Sequence, residues 1–185
     1  MAEDQSYPRV KKFFFLFIFI LSFSKAYSEN FKFIKIANLN NPWGSSFLNN
    51  DEMIITEKSG LIKIVNIINN QVNDVEHNLN FLEDGQGGLL DILHQENKVW
   101  ISYTENRGNG KTSTSIALAN LDKKNLVFRN IFQANPPIDS GYHFGSRLAI
   151  KGKYLYASAG ERGKGMIAQD ASKHPGSIIR IHLDG

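Results

Sequence analysis

The chain has 185 residues, 42% of them hydrophobic and 21% charged, which excludes disorder along its whole length and gives room for one ordinary domain or part of a larger one. It has no cysteine, so disulfides, thiolate-held zinc, iron–sulfur clusters and a thiol nucleophile are all excluded. The net charge of +3 is concentrated at the start. Residues 1–28 hold Arg9, Lys11, Lys12 and Lys25 against Glu3 and Asp4, and the rest of the chain is nearly balanced, with no basic stripe for nucleic acid.

In chain order, the first element is an export signal over residues 1–28. Arg9, Lys11 and Lys12 precede an apolar run from Phe13 to Phe23. As a helix that run spans roughly 17 Å, short of the roughly 30 Å bilayer core. Ala26-Tyr27-Ser28 places small residues where a signal peptidase reads, so the expected mature start is Glu29 and the expected location is periplasmic or secreted. An uncleaved anchor is the alternative. No stable membrane span is expected after cleavage.

Residues 29–185 read as short strands separated by polar turns. Apolar and polar residues alternate over Phe31–Ile36, Leu61–Val65 and Val99–Tyr103. Turn residues lie at Asn49-Asn50-Asp51, Lys58-Ser59-Gly60, Asn69-Asn70 and Arg107-Gly108-Asn109-Gly110. No amphipathic helix of twelve residues or more is evident. Three segments opening on Gly44, Gly88 and Gly145 share one plan: a glycine, an apolar strand, a polar turn, then a second apolar strand. Repeats of roughly 40–50 residues with about four strands each suggest β-propeller blades; a β-sandwich with similar hairpins is the alternative. About three blades fit into residues 29–185. Three blades do not close a ring, so the chain is expected to be the N-terminal portion of a longer protein.

Three glycine-rich stretches resemble phosphate loops and fail on context. Gly110-Lys111-Thr112 sits in a hairpin, Gly163/Gly165/Ala168 precedes no long helix, and Gly85-Gln86-Gly87-Gly88 lacks the lysine and hydroxyl of a nucleotide loop. None of the five histidines has metal-ligand spacing, so no metal ligand is assigned. His143 stands out because it lies in the loop entering the third repeat, two residues before Gly145. Gln86 lies two residues before Gly88 in the second repeat. Matching repeat positions would bring both residues to one mouth of the channel.

At these residues the sequence resembles the soluble glucose/sorbosone dehydrogenases, the aldose sugar dehydrogenases that use pyrroloquinoline quinone (PQQ). The resemblance rests on Asn41-Pro42-Trp43-Gly44, Gly85-Gln86-Gly87-Gly88, Asp139-Ser140-Gly141-Tyr142-His143-Phe144-Gly145-Ser146-Arg147, Gly160-Glu161-Arg162-Gly163 and Ala168-Gln169-Asp170. It implies an all-β, six-bladed propeller with PQQ and calcium at the channel mouth. It also implies that an aldose is oxidised to its lactone by hydride transfer to the quinone, with an external electron acceptor. His143 matches the family's catalytic general base, and Gln86 a glutamine at the cofactor and substrate site. Asp139, Arg147 and Gln169 are expected to support the loops. Glu161 stands where the family usually has Asp. The family's main PQQ and calcium ligands lie further along than residue 185. A non-catalytic partial propeller used as a binding module, or a truncated gene product, is the alternative reading.

Overall fold

The computed structural model describes residues 31–185, and the proposed signal and its cleavage site lie outside them. Residues Lys35–Gly185 form one unit of twelve strands. These are β1 (Pro42–Phe47), β2 (Glu52–Glu57), β3 (Leu61–Asn66), β4 (Val72–His77), β5 (Leu89–Gln95), β6 (Lys98–Asn106), β7 (Thr112–Asn120), β8 (Asn125–Leu126), β9 (Arg129–Gln133), β10 (Gly145–Lys151), β11 (Tyr154–Ala159) and β12 (Ser177–His182).

The strands make three sheets, ordered β1-β2-β3-β4-β8, β5-β6-β7-β9 and β10-β11-β12. All neighbours are antiparallel except β8, which leaves the second sheet to run parallel beside β4. The innermost strand β5 lies against both β1 and β10, as the middle one of three consecutive propeller blades requires. Two apolar layers fill the gaps. Ile54, Ile62, Ile64 and Val75 of the first blade meet Leu89, Val99, Ile101 and Tyr103 of the second. Trp100, Ile116 and Leu118 meet Leu148, Leu155 and Ala157 of the third. Burying side chains of this size contributes about 1.5–3 kcal/mol each.

A shared irregularity marks the repeat. In each blade the innermost strand carries an extra residue against the second strand, between Pro42 and Ser45, Leu89 and Ile92, and Gly145 and Leu148. These bulges bend the inner strand. A hydroxyl on the second strand sits over each one. Thr56 Oγ1 accepts the Gly44 N–H at 3.0 Å and donates to the Leu90 carbonyl of the next blade at 2.5 Å. Ser102 Oγ accepts the Asp91 N–H at 3.0 Å and donates to the Ser146 carbonyl at 2.6 Å. Ser158 Oγ accepts the Arg147 N–H at 3.1 Å.

The bulges also correct the repeat register. The equivalent positions are Pro42, Leu89 and Gly145, not Gly44, Gly88 and Gly145. Gly44 is needed for another reason: a Cβ there would fall 2.7 Å from the Leu90 carbonyl and the Asp91 Cα. Phe31–Ile36 forms no strand despite its alternation, because a period of two yields a strand only where a neighbour takes up the backbone hydrogen bonds. The one helical element among the described residues is a 3-10 helix at Gly165–Gln169, too short to present a pyrophosphate site.

Candidate active site

The loops entering β5 and β10 meet at one end of the blades. Gly85 turns with φ +54°, and a Cβ on it would strike the Gly141 carbonyl at 2.4 Å, so the two loops can touch only through glycine. The Gln86 N–H donates to the Gly141 carbonyl at 2.8 Å, and the His143 N–H donates to Gln86 Oε1 at 2.9 Å. The structure therefore brings His143 and Gln86 into direct contact. Their positions are offset by one residue in the corrected register, since His143 precedes Gly145 by two and Gln86 precedes Leu89 by three.

His143 has a left-handed backbone, φ +49°, and its side chain is 53% exposed. Its Nδ1 is hydrogen-bonded to the Glu161 carboxylate. An ionised carboxylate only accepts, so Nδ1 is the donor in this bond. The bond from His143 holds the Glu161 carboxyl below the usual carboxylate range, helped by the Gly163 N–H at 3.1 Å. The hairpin explains the meeting: Gly145 on β10 pairs with Ala159 on β11, so the residues just before and just after the hairpin face each other. Reading the sequence alone assigned no role to Glu161. Counting outward from that pairing finds it.

Gly160 completes the corner. A Cβ there would lie 1.8 Å from the His143 carbonyl oxygen and 2.5 Å from its carbon. Beside it, Arg162 is 2% exposed and left-handed at φ +61°. Burial pushes its guanidinium down to about 10, partly opposed by the negative charge of Asp84. It remains a cation at neutral pH.

The other expected supporting residues fall elsewhere. Arg147 reaches back to Asp91, with Nη1 2.8 Å from Oδ1, while Asp91 Oδ2 accepts the Leu148 N–H at 2.8 Å; this pair ties the second blade to the third. Asp139 and Gln169 are exposed and make no side-chain hydrogen bond to His143 or Gln86. His174 is half-buried: its Nδ1 accepts the Asn135 N–H at 2.9 Å and its ring packs 5.1 Å from Phe132. Among the described residues no group of three or more His, Asp or Glu could hold a metal ion, and no helix is long and apolar enough to cross a membrane.

Consecutive bulged blades whose entry loops meet at one end, with an exposed imidazole against a carboxylate there, define part of a β-propeller. The chain belongs to the glucose/sorbosone dehydrogenase family, whose model matches residues 39–185. The aldose sugar dehydrogenase YliI of Escherichia coli strain K12 is 32% identical over 157 residues, covering 80% of this chain and 42% of that protein. The crystal structure of the soluble aldose sugar dehydrogenase from Escherichia coli superimposes with a TM-score of 0.73 at 30% identity, covering 78% of this chain and 44% of that one. The PQQ-bound form of aldose sugar dehydrogenase from Streptomyces coelicolor shares the fold, with a TM-score of 0.71 at 24% identity over 80% of this chain and 46% of its own. The chain thus spans less than half the length of these relatives.

Proposed function

We propose that residues 29–185 carry the proton-accepting side of a PQQ-dependent aldose dehydrogenase site. The observation that carries this reading is the His143–Glu161 pair, held with the histidine amide on Gln86. Glu161 fixes the tautomer and leaves Nε2 as the base. The sugar hydroxyl gives its proton to Nε2, and the carboxylate stabilises the imidazolium that results. Gln86 uses its Oε1 on His143, which leaves its NH2 group to donate to a carbonyl or hydroxyl of the cofactor or the sugar. These donors suit an oxygen-rich, planar quinone. When bound, PQQ supplies the two-electron sink for the hydride leaving the sugar carbon. No described residue is assigned to calcium. An external acceptor would reoxidise the cofactor, and the signal over residues 1–28 would place the enzyme in the periplasm or outside the cell.

The test is a chimera in which residues 39–185 replace the matching segment of the Escherichia coli aldose sugar dehydrogenase. With PQQ and calcium added, it should oxidise an aldose in a dye-linked assay. His143→Gln should lower turnover by roughly 100-fold or more, the scale of general-base catalysis. A chimera that melts cooperatively but never turns over would favour the non-catalytic module.

A further inference from the structure

We propose that Arg162 is the positioning residue of this site, a clamp that sets the peptide planes leading into His143. Its Nε donates to the Tyr142 carbonyl at 2.9 Å, and its Nη2 reaches the Ser140 carbonyl. On the other side, Nη1 donates to the Thr112 carbonyl at 3.2 Å and Nη2 to Thr112 Oγ1 at 2.7 Å. The guanidinium also lies 3.6 Å from the centroid of the Phe144 ring.

The loop it holds has little freedom left. Between Ser140 and His143 every carbonyl has a donor: Arg162 for Ser140 and Tyr142, the Gln86 N–H for Gly141, and the Arg162 N–H for His143 at 3.4 Å. The left-handed φ of His143 is one that L side chains rarely adopt, so something outside the residue must impose it. Arg162 is a buried cation with no carboxylate within ion-pair distance among the described residues. A charge in that setting is costly unless polar groups solvate it. The acceptors that solvate it are the Ser140 and Tyr142 carbonyls of the loop and the carbonyl and hydroxyl of Thr112 on β7, with the charge of Asp84 further off, so the cation ties the loop to β7. Arg162 directly follows Glu161, and the clamp therefore fixes both partners of the His143–Glu161 pair. Lysine cannot substitute: it is a point charge without the planar fork that spans four acceptors.

This inference rests on the sugar-oxidation reading only for what is being positioned, and its first test needs neither cofactor nor sugar. Hydrogen exchange of the 185-residue chain is followed by mass spectrometry for the wild type, Arg162→Lys and Thr112→Val. Peptides covering residues 84–88 and 140–145 should exchange at least about tenfold faster in Arg162→Lys, while residues 98–104 keep their protection. Thr112→Val, which removes a single acceptor, should shift the same two peptides by less. Unchanged exchange in both loops overturns the clamp. So does a uniform loss of protection in Arg162→Lys with no change in Thr112→Val, because that pattern belongs to packing alone. In the chimera, Arg162→Lys should lower kcat at least about tenfold with KM little altered; a rise in KM alone overturns the assignment.

Discussion

Gly160→Ala tests the site through a single methyl group. The added Cβ would start 1.8 Å from the His143 carbonyl oxygen, whereas ordinary contact begins near 3.4 Å, so the two must separate by about 1.6 Å. The oxygen is backbone and the Cβ is fixed by the backbone of residue 160, and His143 is held by Gln86, Glu161 and Arg162, so no side-chain rotation relieves the clash. Overpacking of this kind costs about 1–3 kcal/mol, and a backbone-to-backbone clash belongs at the upper end. At roughly 2–4 °C per kcal/mol for a domain of this size, melting should fall by about 6–12 °C. In the chimera, moving the imidazole by about 1 Å should cost on the order of 100-fold in turnover. Gly165→Ala is the control, because nothing lies within 4 Å of its Cβ. Differential scanning fluorimetry with dye-linked turnover reads both effects. If Gly160→Ala melts and turns over like Gly165→Ala, the His143 carbonyl does not rest on Gly160.

Other expectations concern charge, blade contacts, export and assembly. Glu161→Gln keeps a hydrogen-bond acceptor but removes the charge, and in the chimera should lower turnover about tenfold or more. Because the Glu161 carboxyl is held low, its contribution to stability is complete above the ordinary carboxylate range and fades as pH falls through the lowered value. Thermal melts from neutral to acid pH should show that limb flattened in Glu161→Gln, and an unchanged limb would count against the pair. Thr56→Val and Ser102→Ala should each destabilise by about 1–3 kcal/mol in chemical denaturation, since each strands one buried N–H and one buried carbonyl. N-terminal sequencing of exported protein should begin at Glu29, and full-length protein in the membrane fraction would instead support an anchor. Residues 29–185 alone should self-associate through unpaired blade edges, which light scattering would detect; a monodisperse monomer with a cooperative melt would refute this.

The strands were legible where alternation met a partner. Leu61–Val65 and Val99–Tyr103 are β3 and the centre of β6, whereas Phe31–Ile36 has the same period and no strand. Turn residues marked the hairpin ends, and the glycine plan located all three blades. The register stayed hidden because the extra residue in each inner strand shifts pairing without altering hydrophobicity. Repetition placed the loops of Gln86 and His143 at one end, but not in the matching positions assigned to them, which the bulges offset by one residue. The roles of Glu161 and Arg162 could not be inferred, because a carboxylate facing an imidazole across a hairpin depends on pairing, and a buried arginine has the same letter as an exposed one.

The hydroxyls of Thr56, Ser102 and Ser158 give the blade stack an arrow. Each takes a bulge amide of its own blade, and the first two pass their proton forward to a bulge carbonyl of the next, so the joints run head to tail. Joints of this kind add units in one sense only, and they can repeat around a circle without a mirror-related seam. Swapping whole blades should therefore succeed where order and direction are kept, and fail where a blade is reversed, even if the apolar faces match.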